Sequence, residues 1–165
     1  MVVGVVRTDR ERRGAGAVPG ATYAGPVTDV TDLEQLVPEW LTLPQLAEVL
    51  GTTVTQARSI VQDRRVVGVK RGERTSFQIP AAFVVPAHRA NPANVAPAPE
   101  NPEDGRHVVL MSVQGTVAVL TDFGFTDAEI IEWLFSPDEA LGTSPMEALL
   151  AGRKAEVRRV AQALL

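Results

Sequence analysis

The chain has 165 residues, of which 45% are hydrophobic and 22% charged, a composition that indicates one or two small globular domains rather than a large enzyme. The absence of cysteine excludes disulfide frameworks, thiolate zinc sites, iron–sulfur clusters and cysteine nucleophiles. The formal net charge is −4, but residues 41–84 carry six basic and three acidic side chains, whereas the segments on either side are net acidic. Because phosphate attraction acts over about 10 Å, this local excess favours a polyanion contact there.

Residues 1–37 are predicted to form a flexible arm. Five of the 13 glycines fall among the first 25 residues, where almost no apolar periodicity is present. The arginines of this stretch alternate with Asp9 and Glu11, which favours a solvated tail over an arm that contacts the minor groove. The apolar run at residues 1–6 is too short for a signal peptide or a membrane span, so we expect a cytoplasmic protein with no membrane partner.

The first helix is predicted near the start of residues 38–85. Thr42 and Gln45 have the spacing of a capping box, and Pro44 suits the first turn of a helix. Apolar residues then recur at three- and four-residue spacing until Gly51, which ends the helix by permitting a left-handed backbone.

A second helix is predicted over residues 53–64. A hydroxyl cap lies at its start, and Ala57, Ile60 and Val61 form its buried stripe. Two short helices joined by a glycine turn form a helix-turn-helix, in which the second helix reads the major groove of DNA.

A β-hairpin is predicted over residues 66–80. β-Branched valines precede a charged turn at 70–74, and Phe77 and Ile79 form the return strand. A basic hairpin directly after a recognition helix is the wing of a winged helix-turn-helix, and it can reach the DNA backbone or the minor groove.

The segment from Leu46-Ala-Glu-Val-Leu-Gly51 to Gln78-Ile-Pro80 resembles the DNA-binding halves of MerR-like and excisionase-like winged-helix proteins. In those proteins a Leu-Gly pair precedes a capped recognition helix, a short basic hairpin and a terminal Ile-Pro. Val54 departs from the pattern, because such proteins often have a polar or basic residue there. The side chains expected to contact DNA are Thr53, Thr55, Gln56, Arg58, Ser59, Gln62, Arg64, Arg65, Lys70, Arg71 and Arg74.

Residues 86–105 are predicted to be a linker rich in proline and alanine. Five of the 12 prolines fall between Pro86 and Pro102. Because proline cannot donate a backbone hydrogen bond, we expect an extended, semi-rigid spacer.

Residues 106–165 are predicted to form a small helical bundle. A helix is expected over 112–120, and Thr126 caps the next one, which ends at Ser136-Pro137. Ser144-Pro145 begins a third helix, and a fourth follows Gly152. The aromatic side chains of this segment are expected in its core, and Trp40 is expected to pack as a lid on the winged half.

The strings Trp133-Leu-Phe-Ser-Pro137, Leu141-Gly, Ser144-Pro145 and Val157-Arg-Arg-Val160 resemble the C-terminal domain of a group of actinobacterial winged-helix DNA-binding proteins. In that group the same two domains occur in the same order. The segment is also similar, more distantly, to the small helical C-terminal domain of Xre-type antitoxins.

No arrangement typical of an enzyme is present. Glu129 and Glu132 share a helix face that is expected to be solvated, and the chain has no glycine-rich phosphate loop. His88 and His107 lack a second ligand at helical spacing. We therefore expect no catalytic activity, no bound metal and no cofactor.

The fold class predicted is mainly α with a small β-hairpin wing, a winged helix-turn-helix followed by a helical bundle. This fold favours a nucleoid-associated DNA-binding protein, and specifically a transcriptional regulator with double-stranded DNA as its partner. A protein-interaction adapter that uses the winged fold without specific DNA binding is the alternative. The acidic C-terminal half is expected either to associate with a second copy or another regulatory protein, or to pack on the winged half of a monomer.

Overall fold

The computed structural model describes residues 30–164 apart from 73, 102 and 104, with side chains from residue 33 onward. Most of the predicted flexible arm therefore lies outside the described residues. The helices and strands are α1 Val30–Leu36, β1 Trp40–Thr42, α2 Leu43–Leu50, α3 Val54–Gln62, β2 Val69–Arg71, β3 Ser76–Pro80, β4 Val84–Pro86, β5 His107–Val109, α4 Met111–Asp122, α5 Asp127–Phe135, α6 Pro145–Leu150 and α7 Lys154–Gln162. A winged helix followed by a helical domain is thus confirmed.

The predicted caps form the helix-turn-helix. The Thr42 hydroxyl accepts a hydrogen bond from the Gln45 amide at 3.3 Å, and the Gln45 side chain accepts one from the Thr42 amide at 2.9 Å. Gly51 ends α2 with φ +67°. Helix α3 begins after Thr53 and ends at Gln62, two residues earlier than predicted, because Arg64 takes a left-handed backbone with φ +60°.

The wing belongs to a three-stranded antiparallel sheet with strand order β1-β3-β2. The hairpin turn between β2 and β3 contains Gly72 at φ +85° and Thr75 at φ +52°. No pattern in the sequence predicts β1, in which Leu41 lies opposite Ile79. A strand of three partly buried residues shows no alternation of polar and apolar positions, so periodicity cannot reveal it.

The presence of α1 at residues 30–36 corrects the predicted boundary of the flexible arm. Leu33 is fully buried and Val37, just past the helix, is almost fully buried. Helix α1 packs against α5 of the C-terminal half. The apolar side chains of residues 33–37 thus belong to the core, and the prediction of a flexible segment up to residue 37 is wrong for this part.

The proline-rich segment is a loop with paired ends rather than an extended spacer. Strands β4 and β5 are antiparallel neighbours, with Pro86 opposite His107. The Ala87 amide donates to the Arg106 carbonyl at 2.6 Å, and the Ala96 amide donates to the His88 carbonyl at 2.9 Å. Two short strands separated by about twenty residues carry no local pattern that would predict their pairing.

The four C-terminal helices occur in the predicted order. Thr126 caps α5 and Ser144 caps α6, with Pro145 in its first turn. Helix α4 is longer than predicted, and Gly115 lies within it. Trp133 is buried, whereas Phe135 is partly buried.

One hydrophobic cluster extends through both halves of the molecule. Phe83, fully buried between β3 and β4, has its ring centroid 6.0 Å from that of Phe135 on α5. The Leu110 amide donates to the Phe83 carbonyl at 2.9 Å. The winged half and the helical half are therefore joined by packed side chains as well as by the chain itself.

Candidate nucleic-acid interface

The surface of α3 is the centre of the candidate interface. Ala57 is fully buried and fixes the helix to the core, and the Thr53 hydroxyl accepts from the Gln56 amide at 3.2 Å. The exposed side chains of the helix are Val54, Thr55, Gln56, Arg58, Ser59 and Gln62. The helix thus presents a polar face with one positive charge to solvent.

Some of these polar groups already bond within the helix. The Thr52 hydroxyl donates to Gln56, and the Ser59 hydroxyl donates to the Thr55 carbonyl at 3.2 Å. Within the described part of the chain, Arg58 and Gln62 have no side-chain hydrogen bond or ion pair. These two side chains combine exposure with the hydrogen-bonding groups that read base edges.

The wing contributes two exposed cations, Lys70 and Arg74. Arg71, the third predicted cation, has another position. Its guanidinium donates to Gln78 at 2.8 Å, pairs with Glu34 at 2.8 Å and lies over the Trp40 ring at 4.7 Å. The Arg71 side chain is only 18% exposed, and its ion pair with Glu34 links α1 to the wing. Trp40, the first residue of β1, is partly buried and packs against the hydrophobic core.

Arg64 also lies away from the exposed face of α3. Its guanidinium pairs with Asp127 at 2.7 Å and donates to the Thr121 hydroxyl at 2.8 Å. Both partners belong to the C-terminal half, so Arg64 links the two halves immediately after α3.

A groove of about 400 Å³ lies between α3 and the start of β5. Its α3 side includes Gln56, Ser59 and Asp63, and its opposite side includes Arg106 and His107. Arg65 also lines it and is half-buried. The charge pattern of the sequence does not predict the position of Arg106, because this residue lies in a segment that is net acidic.

The described residues lack both a metal-binding cluster and a membrane-spanning helix. Residues 30–164, apart from those left undescribed, hold no group of three or more histidine, aspartate or glutamate side chains that could bind a metal ion. Within the same part of the chain, no helix has the length and apolar character needed to cross a membrane.

Comparison with known proteins agrees with this organisation. Residues 26–84 match the family described as DNA-binding protein Rv2175c, wHTH domain, and residues 110–165 match the Rv2175c C-terminal domain of unknown function. The two family models thus match the winged half and the helical half of the chain separately. One relative is named DNA-binding protein Rv2175c and comes from Mycobacterium tuberculosis (strain ATCC 25618 / H37Rv). It is 28% identical over an alignment of 163 positions, and the aligned part covers 90% of this chain and 97% of the relative. The solved NMR structure of Rv2175c aligns with a TM-score of 0.56 at 26% identity, covering 91% of this chain and 99% of that one.

The Rv2175c matches leave a gap at the junction of the two halves. Residues 85–109, which lie between the two matched ranges, contain most of β4, the proline-rich loop and all of β5. Arg106 and His107 on the groove beside α3 belong to this junction.

Proposed function

We propose that the chain is a sequence-preferring DNA-binding protein that acts as a transcriptional regulator in the cytoplasm, without catalysis. Helix α3 enters the major groove, and the wing contacts the backbone or the minor groove beside it, in the manner of MerR-like and excisionase-like proteins. The observation that carries the proposal is a capped and exposed α3, with Arg58 and Gln62 on its face, next to a wing that bears Lys70 and Arg74.

The two groups of side chains have different proposed roles. Arg58 and Gln62 read base edges, with Thr55 and Ser59 beside them, because guanidinium and amide groups make paired hydrogen bonds to guanine and adenine. Lys70 and Arg74 contact phosphates and bind all sequences alike. We do not propose that Arg64 and Arg71 contact DNA, because each guanidinium already has a carboxylate partner.

The test begins with selection of bound fragments from a random duplex pool, followed by fluorescence anisotropy on the selected and random duplexes. Arg58→Ala or Gln62→Ala should reduce discrimination between the two by about 1–3 kcal/mol per lost base contact. Lys70→Gln or Arg74→Gln should weaken both equally and reduce the slope of log K against log salt by about 0.9.

Arg159→Gln, on the exposed face of α7, is the matched charge control and should leave both quantities unchanged. If Arg58→Ala distinguished selected from random duplexes as well as the wild-type chain does, the proposed orientation of α3 would be wrong. A wild-type chain that shows no salt-dependent DNA binding would instead indicate the protein-interaction adapter.

A further inference from the structure

Arg106 lies across a groove from the recognition helix, although it belongs to the junction with the C-terminal half. The groove is lined on the α3 side by Gln56, Ser59 and Asp63. These residues recur at spacings of three and four, so they form one flank of the helix. Arg58 and Gln62 project on the other side of Ser59, because each residue turns the helix by about 100°. A duplex centred on this exposed face therefore meets the rim of the groove as well.

The backbone of Arg106 is held in place. Its carbonyl accepts from the Ala87 amide at 2.6 Å, and the following residue, His107, pairs with Pro86 across the β4–β5 ladder. The side chain itself is exposed, and within the described part of the chain it has no ion pair or side-chain hydrogen bond. An exposed guanidinium without a carboxylate partner can form charge-assisted hydrogen bonds to a phosphate, and a fixed backbone reduces the disorder that such a contact would have to remove.

The two sides of the groove are also held relative to each other. Arg64 pairs with Asp127 and bonds Thr121, and both of these residues belong to the helical half. Phe83 packs on Phe135 at a centroid distance of 6.0 Å. The position of Arg106 beside α3 is thus a property of the packed molecule rather than of a freely moving domain.

The charges of the groove favour an anion. Arg65 and Arg106 line it together with one carboxylate, that of Asp63. We propose that the guanidinium of Arg106 binds a DNA phosphate beside the recognition helix, so that the junction adds a contact to the interface of the winged domain. This inference rests on the proposed function and extends it beyond the helix-turn-helix and the wing.

The experiment measures anisotropy of a labelled mixed-sequence duplex of about two helical turns with the full chain, over 50 to 200 mM salt. Arg106→Gln should reduce the slope of log K against log salt by about 0.9. The wild-type chain should therefore lose about three- to four-fold more affinity than this variant across that range. Arg106→Lys retains the charge and should retain the slope, and Arg159→Gln serves as the control at a distant exposed arginine.

The outcomes separate this inference from the function on which it rests. If the wild-type chain binds with a steep salt dependence and Arg106→Gln has the same slope, the Arg106 contact is wrong and the DNA-binding proposal stands. If Arg106→Lys loses the slope as Arg106→Gln does, the effect is structural and the inference is again overturned. If the wild-type chain binds no duplex, both proposals fail. Thermal unfolding of each variant should match the wild type, because the side chain is exposed.

Discussion

Replacing Phe83 by alanine should destabilise both halves of the molecule together. The side chain is fully buried and its ring lies 6.0 Å from that of Phe135, across the junction of the two halves. Removing a buried phenylalanine ring costs about 3–5 kcal/mol, because apolar burial is lost and a cavity is left. The Arg64–Asp127 ion pair spans the same junction, but its side chains are about 40% exposed, so it contributes at most about 1 kcal/mol. Apolar packing therefore dominates the coupling.

The chain offers one tryptophan in each half as a separate probe. Trp40 lies in β1 of the winged half and Trp133 in α5 of the helical half. Urea unfolding of the Trp133→Phe and Trp40→Phe variants, followed by fluorescence, reports each half in turn. With an m-value of about 2 kcal/mol/M, Phe83→Ala should lower both midpoints by about 1.5–2.5 M. Met111→Ala is the control, since that side chain is 75% exposed and its loss should change the midpoints little.

The two probes decide the question because a coupled unit has coincident transitions. A fluorescence midpoint that differs from the circular-dichroism midpoint of the same tryptophan variant, or a shift in the Trp40 signal alone after Phe83→Ala, would refute the claim that the halves unfold as one unit. If Phe83→Ala is too unstable to fold, Phe83→Leu retains an apolar side chain and should shift both midpoints in the same direction by a smaller amount. A shift confined to one probe would refute the claim for that variant as well.

Three further substitutions follow from the backbone, each checked by urea unfolding monitored by circular dichroism. Gly68→Ala should lower the free energy of unfolding by about 1–3 kcal/mol, because a Cβ there would overlap the Gln78 carbonyl and lie 2.7 Å from the Phe77 ring; an unchanged midpoint would contradict the close packing. Gly115→Ala lies in α4, where a new Cβ would have no neighbouring atom within 4 Å, so it should instead raise the free energy of unfolding by about 0.5–1 kcal/mol. A decrease in that free energy would mean that another group occupies the space beside Gly115. Thr53→Ala should cost about 1 kcal/mol through loss of the α3 cap, whereas Thr53→Ser should retain most of it.

Local chemistry made much of the winged half predictable from its sequence. The capping box of Thr42 and Gln45, the left-handed Gly51 and the Thr53 cap each act within four residues, so the sequence alone carries the signal. The elements that were missed are held by partners far along the chain. Strand β1 exists through pairing with β3, and α1 packs on α5 about 95 residues later. Short segments of this kind have too few residues to show a period.

The candidate site illustrates the same limit through its arginines. Arg58, Arg64 and Arg71 look alike in the sequence, because all three lie in its net basic segment. Their surroundings differ because Asp127 reaches Arg64 from the helical half and Glu34 reaches Arg71 from α1, whereas α3 leaves Arg58 exposed.

Arg106 shows the converse case. A sum of charge along the chain assigns it to an acidic half, yet the β4–β5 pairing brings it beside Ser59 on α3. Attraction to a phosphate depends on distance in space, and it falls off within about 8 Å at physiological salt. The cations that we propose for DNA contact are therefore those that share a surface with α3 and lack a carboxylate partner, whichever half of the chain supplies them. On that criterion Arg106 belongs with Arg58, whereas Arg64, only six residues from Arg58, does not.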